Sequence, residues 1–177
     1  MNRISKKNVR NIRITVLFFV FSLVLNWGYK LYMISGDSMS PSVDSSDLVW
    51  VSKVKADVDD ISRGDVVVFW DLKDGDFLLK RVIGVPGDAI KVVDGRIILN
   101  GVVYEDEFSE QRLGVMLVNP DGEPLRSWTT GEIVYEYDNI DYGFLQEDEF
   151  WVIGDNRTES WYGVVSREEI LGVSSVD

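Results

Sequence analysis

The chain has 177 residues, 45% apolar and 27% charged, so it can bury a core and is too apolar for general disorder. Its 18 basic and 30 acidic residues give a net charge of −12, a poor match for nucleic acid, which recruits clustered positive charge. Cysteine and histidine are both absent, which excludes disulfides, Ser-His-Asp and Cys-His catalysis, and zinc sites built on thiolate or imidazole.

The charge is unevenly placed. Residues 1–13 carry Arg3, Lys6, Lys7, Arg10 and Arg13 and no acid, a local +5, so the other 164 residues hold 13 basic and 30 acidic groups, or −17. From Ile14 to Leu25 the only polar residues are Thr15 and Ser22. Extended to Ile34, this stretch predicts a membrane anchor over 14–34, with Trp27, Tyr29 and Tyr32 as an interfacial belt and Lys30 snorkelling. A cleaved secretory signal also fits the length of the apolar run, but the bulky Leu31-Tyr32-Met33 that follows it is unlike a small-residue cleavage site. The basic cluster predicts a single-pass topology in the cell membrane, with residues 1–13 cytoplasmic and residues 35–177 extracytoplasmic.

Beyond the anchor the pattern is that of strands. Leu48–Val51, Val66–Trp70 and Phe77–Val85 are β-branched or aromatic runs bounded by turn residues. Between Ile90 and Tyr104, Asp94-Gly95 and Asn100-Gly101 separate three short apolar runs, which predicts a three-strand meander with tight turns at positive φ. Residues 105–148 are more polar and read as a candidate cap insertion, with turns at Pro120–Gly122 and Glu123-Pro124 and a strand over 133–137. Phe150–Ile153 is again strand-like, and Ser166–Glu169 has the capping-box pattern of a helical turn. The expected fold class is all-β: a folded sheet or barrel ectodomain on one N-terminal transmembrane helix.

Without histidine, a nucleophilic hydroxyl needs another base, and a lysine kept neutral by burial can serve. Ser38 lies in Ser35-Gly-Asp-Ser-Met-Ser-Pro-Ser42, where Gly36 permits positive φ and Pro41 stiffens the exit. Lys80 lies among apolar residues in Phe77–Asp88 and shares a strand face with Leu78 and Val82. A third segment, Gly154-Asp-Asn-Arg-Thr-Glu-Ser160, follows the strand over 150–153. On these residues alone, a polar linker, a lysine at a sheet edge and a charged turn remain open readings.

Taken in order, the segments resemble bacterial type I signal peptidases, the membrane-bound Ser-Lys proteases. The resemblance rests on Gly36-Asp-Ser-Met-Ser-Pro41, Gly64-Asp-Val66, Lys80-Arg-Val-Ile-Gly-Val-Pro-Gly-Asp88, and Gly154-Asp-Asn-Arg157 with Ser160, and it spans nearly the whole chain. It implies that Ser38 is the nucleophile and Lys80 the general base. Ser160 then orients the Lys80 amine, Met39 packs to fix the nucleophile loop, and Arg81 and Asp155 support the site by ion pairing. The Ser38 N–H contributes to the oxyanion hole; Gly36 stands where some relatives supply a second, side-chain donor. No cofactor and no metal are implied.

The implied partners are secretory precursor proteins, cut after small residues, and the lipid bilayer. The third motif departs from the family pattern: Trp161-Tyr-Gly163 follows Ser160 directly, so a second acid and a second arginine are missing. A signal-peptidase-like accessory factor that binds secreted or pilin-type subunits without cleaving them is the alternative, and the presence of both Ser38 and Lys80 argues against it. A self-cleaving regulator lacks the expected basic domain, and no Asp-Thr-Gly or Asp-Ser-Gly signature points to an acid-pair hydrolase.

Overall fold

The computed structural model describes residues 12–19, 28–53, 61–73, 75–108, 111–116, 123–127, 129, 130, 132 and 135–176. Residues 12–19 are helical. The chain then builds β1 (Tyr29–Met33), β2 (Leu48–Ser52), β3 (Val66–Asp71), β4 (Asp76–Gly84), β5 (Ala89–Val93), β6 (Arg96–Leu99) and β7 (Val102–Val103). It continues with β8 (Gly114–Met116), β9 (Tyr135–Tyr137), β10 (Ile140–Phe144), β11 (Glu149–Ile153), β12 (Tyr162–Ser166) and β13 (Ile170–Ser174). The strands form a seven-stranded sheet in the order β1-β2-β13-β3-β4-β11-β12, a four-stranded sheet β10-β5-β6-β7, and the pair β8-β9. The all-β expectation therefore holds for the described residues.

Burial follows the pleat. In β2, Val49 and Val51 point inward while Leu48 and Trp50 are exposed. In β11 both faces are buried: Phe150 and Val152 join a core with Val67, Phe69, Val82 and Val173, whereas Trp151 and Ile153 join a second core with Ile83, Ile90, Val92 and Leu113. A third core holds Met39, Val43, Val49, Val51, Val66, Val68 and Leu79. The long sheet is thus covered on both sides around β3, β4 and β11, and β3 and β11 accordingly read as continuous apolar runs rather than alternation.

The turns of the meander are as expected. Asp94 and Gly95 have φ of 48° and 71°, and Asn100 and Gly101 have 52° and 83°. The Pro86-Gly-Asp88 turn is fixed by Asp88, which accepts from Val85 N–H, Asn100 Nδ2 and Arg63 Nη2. Ser166 donates from its N–H and its Oγ to Glu169 Oε2, opening the 3-10 turn Arg167–Glu169.

The expected anchor over 14–34 requires a correction at its C-terminal end. Tyr29–Met33 are strand, paired antiparallel with β2 from Tyr29 opposite Ser52 to Met33 opposite Leu48. Their backbone groups bond to a neighbouring strand, so Tyr29 and Tyr32 lie on the sheet edge. Residues 20–27, with Trp27, lie outside the described residues, as do Arg3, Lys6, Lys7 and Arg10, the turn at 120–122 and positions 133 and 134. Among the described residues no helix is long and apolar enough to cross a membrane.

Candidate active site

Ser38 sits in the turn between β1 and β2. Gly36 enters that turn at φ 92°, a conformation side-chain-bearing residues resist. Met39, 1% exposed, drops into the third core and pins the turn from beneath. Ser40 Oγ donates to Asp44 Oδ1 at 2.9 Å, and the Ser40–Pro41 peptide is cis. The Ser38 N–H has no acceptor among the described residues.

Lys80 reaches this turn from β4. Its Nζ lies 2.7 Å from Ser38 Oγ and 3.0 Å from the Leu79 carbonyl oxygen. The side chain is 2% exposed. Burial lowers its pKa from 10.5 to about 8, against the opposing pull of the Asp155 carboxylate. Met39 and Leu78 line the cleft beside Lys80, but Val82, expected on the same face, is enclosed in the first core.

Arg81 takes the other side of β4. Its Nε and Nη2 donate to the two oxygens of Asp155, each at 2.8 Å, and its Nη1 donates to Gly64 O at 2.8 Å. Asp155 is fully buried, and its carboxylate raises the Arg81 pKa. The expected Arg81–Asp155 pair is therefore present, and the bidentate geometry makes it rigid.

The loop over 154–160 clamps the Ser38 turn at its backbone carbonyls. Asn156 N–H donates to Ser38 O at 3.2 Å, and Asn156 Nδ2 donates to Asp37 O at 3.2 Å. A Cβ on Gly154 would stand 2.1 Å from both Ser38 O and Ser160 Oγ, so glycine is obligatory there. Ser160 does not make the expected bond to Lys80. Its Oγ accepts from Gly154 N–H at 2.9 Å and donates to Trp161 O at 2.9 Å, so it braces the loop instead.

A cleft of about 250 Å³ opens beside Ser38 and Lys80, between Tyr32–Ser35 on one wall and Asp76–Leu79 on the other. A larger groove of about 490 Å³ lies over β6 and the segments 103–106 and 111–113, and contains neither Ser38 nor Lys80. Among the described residues no cluster of acids is arranged to hold a metal.

Several contributors escaped sequence reasoning. Gly154 and Asn156 stand inside the Gly-Asp-Asn-Arg string, so the signal was present, but their backbone roles were not legible. Asp106 and Phe108, which contact Arg157, lie in a polar stretch with no motif.

A family model described as signal peptidase, peptidase S26, matches residues 6–176. Signal peptidase I U of Bacillus subtilis is 30% identical over 170 residues, covering 93% of this chain and 82% of that protein. Signal peptidase I of Bacillus caldolyticus is 31% identical over 162 residues, with 89% and 79% covered. Signal peptidase IB of Staphylococcus aureus is 29% identical over 168 residues, with 91% and 83% covered. A crystal structure of a signal peptidase I from Enterococcus faecalis aligns with a TM-score of 0.44 at 20% identity, over 64% of this chain and 95% of that one.

Proposed function

The chain belongs to the signal peptidase family, peptidase S26, and on that premise we propose that it is a membrane-anchored serine endopeptidase that removes signal peptides from secreted precursors through a Ser38–Lys80 dyad. The observation that carries the reading is a buried amine of lowered pKa within hydrogen-bonding distance of a hydroxyl, beside a cleft of about 250 Å³.

In this reading the neutral Lys80 amine accepts the Ser38 proton as Oγ attacks the scissile carbonyl. The free Ser38 N–H points to the oxyanion role, since a donor already bonded in the protein could not serve. Lys80, now ammonium, returns its proton to the leaving amine. A water deprotonated by the same amine then hydrolyses the acyl-enzyme. The substrate lies extended between residues 32–35 and 76–80. Its signal-peptide side runs back along β1 toward the anchor, and its small residues before the cut face Met39 and Leu79 in the cleft lining. Exposed Leu31, Met33, Leu48 and Trp50 on β1 and β2 form an apolar surface, which supports contact with a bilayer on that side.

The apolar stretch before β1 supplies the anchor in this proposal, with the basic N-terminal end cytoplasmic and the β domain extracytoplasmic. The test is cleavage of a purified secretory precursor in detergent, with the new N-terminus located by sequencing. Wild type cuts once at the end of the signal peptide. Ser38→Ala and Lys80→Ala fold but leave the precursor intact, and Lys80→Arg is equally inactive because guanidinium stays charged. Full activity in any of the three variants removes the dyad.

A further inference from the structure

Arg157 is 3% exposed, yet among the described residues only the Nη2 of its guanidinium has a hydrogen-bonding partner, the carboxylate of Asp106; Nε and Nη1 have none there. The face of Phe108 takes up the remainder. Its ring centroid lies 5.7 Å from the Arg157 guanidinium carbon and 6.0 Å from that of Arg81. Gln111 Oε1 accepts the Arg157 N–H at 2.9 Å, so the segment after β7 grips the 154–160 loop at two points. Two buried cations thus share one ring and two carboxylates, and Asp155 has both oxygens committed to Arg81. A neutral residue at 106 would leave Arg157 as an uncompensated buried cation that competes for Asp155. Arg81 adjoins Lys80 in β4, so a shift of Asp155 reaches the amine directly.

Building on the dyad reading above, we propose that Asp106 and Phe108 are positioning residues for Lys80. Asp106 neutralises Arg157 and Phe108 packs both guanidinium groups. Asp155 therefore stays on Arg81, and β4 holds the amine at Ser38. The charge that acts on Lys80 is Asp155, from the loop after β11; Asp106 and Glu107 from the segment after β7 act on Arg81, and Asp106 and Asp155 act on Arg157. Asp76 lines the same cleft as Lys80, and Asp37 precedes Ser38 in its turn.

The experiment is the pH dependence of kcat/KM for a purified precursor in detergent, read alongside thermal stability. Asp106→Asn leaves Arg157 to draw on Asp155, the carboxylate that favours the Lys80 ammonium, so the ammonium loses support. Its acid limb moves to lower pH by about half a unit, and its plateau falls severalfold as the amine loses its place. Asp106→Glu restores both. The double variant Asp106→Asn/Arg157→Gln removes both charges and returns the limb to its wild-type position. Phe108→Leu keeps the charges, so it lowers the plateau without moving the limb, and it remains readable if Asp106→Asn does not fold. A limb that stays put in Asp106→Asn, a limb that does not return in the double variant, or an undiminished plateau in Phe108→Leu overturns the proposal. A loss of stability alone, with kinetics unchanged, also overturns it. Cleavage that needs Ser38 while these variants behave as wild type sinks this inference only; a wild type that cuts nothing sinks the proposed function itself.

Discussion

At the scale of single residues, the proposed chemistry turns on a lysine placed where its charge is unwelcome. A fall from 10.5 to about 8 is on the order of 3 kcal/mol against the buried ammonium. The folded pKa lies below the unfolded one, so this penalty is fully present below pH 8 and vanishes as pH rises to about 10.5. Lys80→Met should therefore be more stable than wild type at pH 7, with the difference in Tm closing as the pH is raised through that window. The same amine sets an acid limb in kcat/KM near pH 8 for the wild type, measurable on a purified precursor. Ser38, Lys80, Met39, Arg81 and Asp155 were legible because each stands in a string whose residue types serve one chemical purpose. Ser160 was legible as a member of the site but not in its bond, because a hydroxyl has three neighbours to choose from and the sequence does not rank them. The missing acid after Ser160 was legible only as an absence. The acid that pairs with Arg157, Asp106, is 51 positions away along the chain, and sequence carries no trace of such a pairing.

At the scale of elements, the strands with clean β-branched runs and Asp-Gly or Asn-Gly turns were read correctly, and those interrupted by glycine were not. β10, β12 and β13 each carry one glycine, which lowers strand propensity. In β13 the reason is close approach: a Cβ on Gly172 would come within 2.6 Å of Val51 Cγ1. β1 was hidden for a different cause, since its residues adjoin the apolar run and read as its continuation. Gly154 gives the test at this scale. Gly154→Ala must displace Ser38 O or Ser160, and a misplacement of this kind lowers kcat/KM by about tenfold or more. Wild-type kinetics in Gly154→Ala would show that the loop does not set the position of the nucleophile.

At the scale of the whole molecule, the strand order divides the site between two halves of one sheet. Ser38 lies between β1 and β2, and Lys80 lies on β4 next to β3. These halves do not pair with each other; β13 stands between them, with Val173 opposite both Ser52 of β2 and Val67 of β3. Deleting residues 170–177 should therefore abolish precursor cleavage and the cooperative thermal transition together. A truncated chain that still cuts would mean that the halves associate without β13. No run of apolar residues forecasts that insertion, because pairing between strands more than a hundred residues apart is decided by packing against both neighbours at once.

The Ser38 turn and Lys80 are joined in one continuous sheet through residues 170–174, the last strand to leave the ribosome.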